Sequence, residues 1–125
     1  MLARPSALAR HVIGCAITVH RALGPGLLES AYEACLAYEL TQKGLAFRRQ
    51  LAVPIQYHGV QVDCGYRVDF VVADELLLEL KSVEKLLPVH QAQVMTYLKL
   101  LDLRQGLLVN FNVPRLVKGL RSILR

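Results

Sequence analysis

The apolar residues change period along the chain, and each change marks an element. From Ser6 to Ala22 they recur at helical spacing, with Ser6 placed to cap the first turn. Leu23-Gly24-Pro25-Gly26 breaks that run. A second helical stretch extends from about Leu27 to Lys43 and stops at Gly44. Alternation then replaces it, predicting strands at Leu45–Gln50 and Val53–Tyr57 and a turn at His58-Gly59. Val60–Cys64 and Tyr66–Val72 read as one long strand or as a bulged pair about Gly65. Ala73-Asp74-Glu75 is a turn, and Leu76–Lys81 is the strand after it. Helical spacing returns from Pro88 through Leu101, followed by a strand at Gly106–Asn110, a helical turn at Pro114–Gly119 and a last strand at Leu120–Leu124. The order is α-α-β-β-β-β-α-β with a short α/β tail. Leu107-Leu108-Val109 is wholly apolar, as expected of a strand covered on both faces. An α/β sheet with helices on at least one side follows.

Length and composition narrow the function classes. The chain has 125 residues, 54% of them hydrophobic, which excludes a disordered or collagen-like chain and predicts a single domain over residues 1–125. Fifteen Lys and Arg against ten Asp and Glu leave a net charge of +5. That excess suits a polyanion such as nucleic acid, and suits a basic soluble protein without such a partner almost as well. Cys15, Cys35 and Cys64 form no close-spaced pair, so neither a zinc site nor a disulfide scaffold is expected. Each lies in an apolar context and reads as a small buried hydrophobe in a reducing compartment. No apolar run is long enough to span a bilayer, and no signal peptide is evident, so the expected location is cytoplasmic, away from membranes. A nucleotide-triphosphatase is disfavoured by the absence of a GxxxxGK loop, and aromatic content of 6% suggests no exposed stacking platform for single strands.

Candidate chemistry is concentrated in the hairpin. Arg67-Val68-Asp69-Phe70 is followed ten residues after Asp69 by Glu79-Leu80-Lys81. Strand periodicity places Glu79 with Lys81 on one face and Arg67 with Asp69 on one face. A three-residue turn closed by Val72 and Leu76 sets Asp69 opposite Glu79 and Arg67 opposite Lys81. Directly opposed side chains have Cβ atoms about 5 Å apart. Two carboxylates that close repel unless a cation joins them, and Mg²⁺ accepts one or two carboxylates together with water and phosphate. Lys81 beside them is placed to hold an attacking water or offset charge on phosphate. The plain alternative is a solvated charged face with weak pairing. The strongly apolar flanks, from Val68 to Val72 and Leu76 to Leu80, argue for the metal reading.

The helices add further candidates. Leu28, Ala31, Tyr32, Cys35 and Leu36 form one stripe of the second helix, and Glu29 borders it in the first turn. Glu29 reads either as a favourable charge on the helix dipole or as a third carboxylate at the rim of the site. In the later helix His90, Gln93, Val94, Tyr97 and Leu101 share a face. Gln93 must satisfy two donors and an acceptor there, through backbone, metal-bound water or phosphate. His90 is expected to cap or support rather than to bind metal, and Gln91 to be exposed.

These residues together resemble the GxxExxY protein family of the PD-(D/E)XK nuclease superfamily. Gly26, Glu29 and Tyr32 fit its signature, and Leu23-Gly24-Pro25-Gly26-Leu27-Leu28-Glu29 its opening. Tyr66–Phe70 resembles its first catalytic strand and Leu78–Lys81 its E-x-K strand. His90–Gln93 with Tyr97-Leu98 resembles its glutamine helix, and Gly106–Phe111 its final core strand. The likeness spans roughly residues 8 to 125. It implies a restriction-endonuclease-like mixed central sheet flanked by helices. It makes Glu29 the acid of the first helix motif, Asp69 and Glu79 the metal ligands, Lys81 the catalytic lysine and Gln93 the supporting glutamine. The cofactor implied is Mg²⁺ or Mn²⁺, and the substrate a DNA or RNA phosphodiester. Two departures stand out. Gln91 occupies a place where family members often carry glutamate, and Arg67-Val68 precedes Asp69 in place of the superfamily's proline. Two functions compete: a metal-dependent nuclease, and a non-catalytic nucleic-acid-binding or regulatory module on the same fold. The small size leaves no room for a separate recognition domain, so a homodimer or other partner is the expected means of holding nucleic acid.

Overall fold

The computed structural model describes residues 5–125, so the first four residues of the expected domain lie outside the described residues. Helix α1 (Ala7–Leu23) starts as expected, with Ser6 Oγ accepting from Ala9 N–H. Its buried face is Ala9, Val12, Cys15, Ala16, Val19 and His20, at helical spacing. Helix α2 (Glu29–Gln42) begins two residues later than the sequence suggests. Leu28 precedes it and is 78% exposed, and the buried stripe is Tyr32, Leu36, Ala37 and Leu40. Tyr32 explains the late start. Its hydroxyl donates to Gly24 O and accepts from Leu27 N–H, pinning the intervening loop against the helix.

Five strands form one sheet in the order β1-β4-β5-β6-β7: β1 (Phe47–Ala52), β4 (Arg67–Val72), β5 (Leu76–Lys81), β6 (Gln105–Asn110) and β7 (Leu120–Leu124). Only β5 and β6 run parallel, and α3 (Pro88–Leu101) makes the crossover between them. The sheet is therefore mixed. On one face Phe70, Val72, Leu76, Leu78, Leu80, Leu107 and Val109 pack with α1 and α2. On the other Val71, Leu77, Leu108 and Ile123 pack with Val94, Tyr97 and Leu98 of α3. This is the restriction-endonuclease-like α/β arrangement, with helices on both faces of the sheet.

Between β1 and β4 lies a small separate hairpin, β2 (Ile55–Tyr57) and β3 (Val60–Val62), turned at His58-Gly59. The expected continuous or bulged strand from Val60 to Val72 is thus two strands in two sheets. The break falls at Gly65, whose φ is +76° and whose N–H donates to the Asp63 carboxylate, folding the chain out of line. Cys64 sits in that connection and is exposed, unlike the buried Cys15; Cys35 is half-buried. Among the described residues no helix is long and apolar enough to cross a membrane.

Candidate active site

Strands β4 and β5 part after Phe70 and Leu78, and the parting creates the site. Their ladder runs in the expected register, Val72↔Leu76, Val71↔Leu77, Phe70↔Leu78. Asp69 and Glu79, next in that register, lie outside the ladder. Asp69 N–H donates to Glu79 Oε1 at 2.9 Å, and Leu80 N–H donates to Asp69 Oδ2 at 2.8 Å. Each carboxylate caps a main-chain donor of the opposite strand. The two side chains are thereby held against each other by backbone, with little rotamer freedom left. Arg67 and Lys81, expected to face each other, lie beyond the end of the ladder; exposed Arg67 donates instead to Gln50 O.

On the other side of β4, strand β1 distorts at the same level. The register is constant on both sides of Gln50, with Arg49↔Phe70 and Leu51↔Val68, yet Gln50 itself is left-handed at φ 49°. Side chains change faces there. Phe47 and Phe70 pack toward α1 and α2, whereas Leu51 and Val68 join the cluster around α3. The period-two rule therefore fails between Val68 and Phe70, the residues on either side of Asp69. Gln50 Nε2 donates to Asp69 Oδ1 at 3.0 Å and to Glu33 Oε1 at 2.6 Å. Glu33 Oε2 in turn accepts from Arg49 Nε and Nη2.

Burial sets the electrostatics. Glu79 is 6% exposed, in a strand otherwise packed on both faces. Desolvation first, and the Asp69 carboxylate second, raise its pKa to about 8 against the opposing pull of the Asp69 N–H bond and Lys81. Asp69 is also raised, mainly by burial, while its bonds from Leu80 and Gln50 favour the charged form. Glu33 and Glu29 add to the negative field at Asp69, and Glu29 to that at Glu79. Half-buried Lys81 follows Glu79 on β5 and, among the described residues, forms no ion pair within 4 Å.

The remaining expected residues are placed differently. Glu29 is exposed at the start of α2 and reaches Ser82 N–H at 3.4 Å, just past Lys81. Glu33, one turn further along α2, is the acid linked to Asp69, through Gln50. Its spacing of four from Glu29 is the helical signal that could have found it. Gln93 does not bond to either carboxylate; its Nε2 donates to Tyr97 Oη at 3.0 Å. Tyr97 is the neighbour of the pair on α3, its phenol pKa raised by burial and then by the Glu79 charge. His90 serves as a cap, its Nδ1 accepting from Leu87 N–H at 2.9 Å. Gln91 is half-buried rather than exposed. Gln50 carried no signal in the sequence, because its left-handed backbone is imposed by the strands around it.

Among the described residues, no group of three or more His, Cys, Asp or Glu side chains is arranged to hold a metal ion. The donor set is the pair Asp69 and Glu79. Glu79 Oε2 accepts no hydrogen bond among the described residues. It therefore reaches solvent, since no fully buried side-chain oxygen there is left unpartnered. Two hard carboxylates with an oxygen open to solvent fit a cation that fills its other positions with water and phosphate.

Neither curated proteins nor solved structures yielded a match to the chain. The family model of the PD-(D/E)XK nuclease superfamily matches residues 6–123. Together with the mixed sheet and the carboxylate pair at its parting strands, that match establishes that the chain belongs to the PD-(D/E)XK nuclease superfamily.

Proposed function

We propose that the protein is a divalent-metal-dependent nuclease of the GxxExxY group, a single nuclease-like domain over residues 1–125 that hydrolyses nucleic-acid phosphodiester bonds. The observation that carries this reading is the carboxylate pair. Asp69 and Glu79 are clamped side by side by main-chain bonds, Glu79 nearly out of water and Asp69 half-buried, with Lys81 adjoining and, among the described residues, in no ion pair. A purely structural pair of acids held this close would cost stability without return.

Asp69 and Glu79 would hold Mg²⁺ or Mn²⁺, which when bound acidifies water and withdraws charge from phosphate. Gln50 keeps Asp69 turned toward Glu79 by holding Oδ1. Lys81 donates to the attacking water or to a phosphate oxygen, offsetting the charge that develops there. Glu29 holds the chain just past Lys81 through Ser82 N–H. Gln93 supports the site through Tyr97 rather than at the metal itself.

The test is cleavage of single- and double-stranded DNA and RNA in EDTA, Mg²⁺ and Mn²⁺ by the wild-type and Glu79→Gln proteins. Gln keeps the Oε1 acceptor for Asp69 N–H, so the hairpin is preserved. The expected result is metal-dependent cutting that falls more than about 100-fold in the variant. A second reading, a non-catalytic nucleic-acid-binding module, rests on the absence of a three-residue metal cluster among the described residues. Retained nucleic-acid binding with no cutting in either metal would favour it.

A further inference from the structure

A cavity of about 390 Å³ opens between Tyr66, just before β4, and the first turns of α3. Ile55, Tyr66, Val89, His90, Gln93 and Tyr97 line it, and the lining is mostly apolar. Tyr66 is 45% exposed and stands with Tyr97 at a corner, ring centroids 6.4 Å apart and planes tilted by 59°. The expectation of no exposed aromatic platform is corrected to this extent: the Tyr66 ring is exposed at the cavity. It was hidden in the sequence because the ring precedes β4 and reaches the cavity only through tertiary packing.

We propose that this cavity receives one unpaired nucleobase of a single strand, adjoining the phosphate at Asp69 and Glu79. The proposal deepens the hydrolytic reading and rests on it for the neighbouring phosphate. The volume lies at the small end of ligand sites, enough for one base and too little for a duplex. An aromatic face with apolar walls and a few polar groups is how extruded or unpaired bases are held. Ile55 and Val89 supply the walls. The Gln93 amide supplies a polar edge, its Oε1 accepting no hydrogen bond among the described residues. His90 supplies another, for with Nδ1 accepting from Leu87 N–H the neutral ring carries its proton on Nε2.

Continuity with the catalytic pair selects a base over an apolar protein side chain. Gln93 and Tyr97 line the cavity, Tyr97 packs in one cluster with Val68 and Leu77 of the strands that carry Asp69 and Glu79, and Tyr66 lies three residues before Asp69. A strand whose phosphate sits at the carboxylates and that follows β4 toward its first residue would bring a base to the corner formed by Tyr66 and Tyr97.

The experiment measures binding of a fluorescein-labelled thymidine dodecamer, and of its duplex, by fluorescence anisotropy in EDTA. Wild-type, Tyr66→Ala and Tyr66→Phe proteins are compared, and an abasic residue is moved along the strand. The single strand is expected to bind more tightly than the duplex. Tyr66→Ala should weaken single-strand binding about ten-fold or more, and Tyr66→Phe by less than about two-fold. An abasic residue at one position should reproduce the loss without any change to the protein. No binding of the single strand, or full binding by Tyr66→Ala with abasic residues neutral everywhere, overturns the proposal. Cleavage in Mn²⁺ by the same proteins separates the two readings. Cutting that ignores both Tyr66 and every abasic residue removes the base site and leaves the nuclease. Binding that depends on Tyr66 with no cutting retains the base site and removes hydrolysis.

Discussion

Glu79 places a carboxylate almost out of water beside a second one, and its titration follows from that. Its folded pKa of about 8 stands above the ordinary 4.5, so the metal-free folded chain binds more protons than the unfolded chain between those values. The stability linked to Glu79 is complete below about pH 4.5 and is lost as pH rises through about 8. Asp69, also raised, acts with the same sign. Urea denaturation in EDTA should therefore show lower stability at pH 8 than at pH 5, by a few kcal/mol at most on the order of the shift. Glu79→Gln should flatten that slope, and an unchanged slope would contradict the burial argument. Glu79→Ala is the poorer control: it strips Asp69 N–H of its acceptor and should be less stable than Glu79→Gln by about 1–3 kcal/mol.

At the scale of elements, two positions carry backbone constraints that side-chain chemistry does not reveal. Gln50 is left-handed within β1, a conformation costing about 1–2 kcal/mol for a residue with a Cβ. Gln50→Gly and Gln50→Ala both lose the bonds to Glu33 and Asp69, but Gly relieves the backbone. Thermal denaturation should find the Gly variant the more stable by about 1 kcal/mol; equal stability would mean that the strain is relaxed elsewhere. Gly119 closes the short 3₁₀ helix Leu116–Gly119 against β6, where an added Cβ would lie 2.1 Å from Asn110 O. Gly119→Ala should cost at least about 2 kcal/mol, read as a lowered urea midpoint. The β4–β5 hairpin was legible because its turn residues and apolar flanks fix one register, and Val72↔Leu76 closes it as expected. The break at Gly65 is ambiguous in the sequence, because a glycine between two alternating runs is compatible with a bulge or with a change of sheet. The Glu33–Gln50–Asp69 chain was not legible, because it joins α2, β1 and β4 through a strand residue whose conformation is set by its neighbours.

For the whole molecule, three layers converge on one hydrophilic spot. Helix α2 brings Glu29 and Glu33, the sheet brings Asp69, Glu79 and Lys81, and α3 brings Tyr97 with Gln93 behind it. The superfamily match over residues 6–123 spans all three layers. We propose that Asp69 and Glu79 make one divalent-cation site. The decisive experiment for that site is calorimetric titration of Mn²⁺ at pH 7, repeated in buffers of different ionisation enthalpy. Glu79 is mostly protonated at that pH, so binding one Mn²⁺ should release about one proton in the wild-type protein. Glu79→Gln should bind weakly and release none. No Mn²⁺ binding by the wild type, or equal binding and proton release in the variant, would contradict the account.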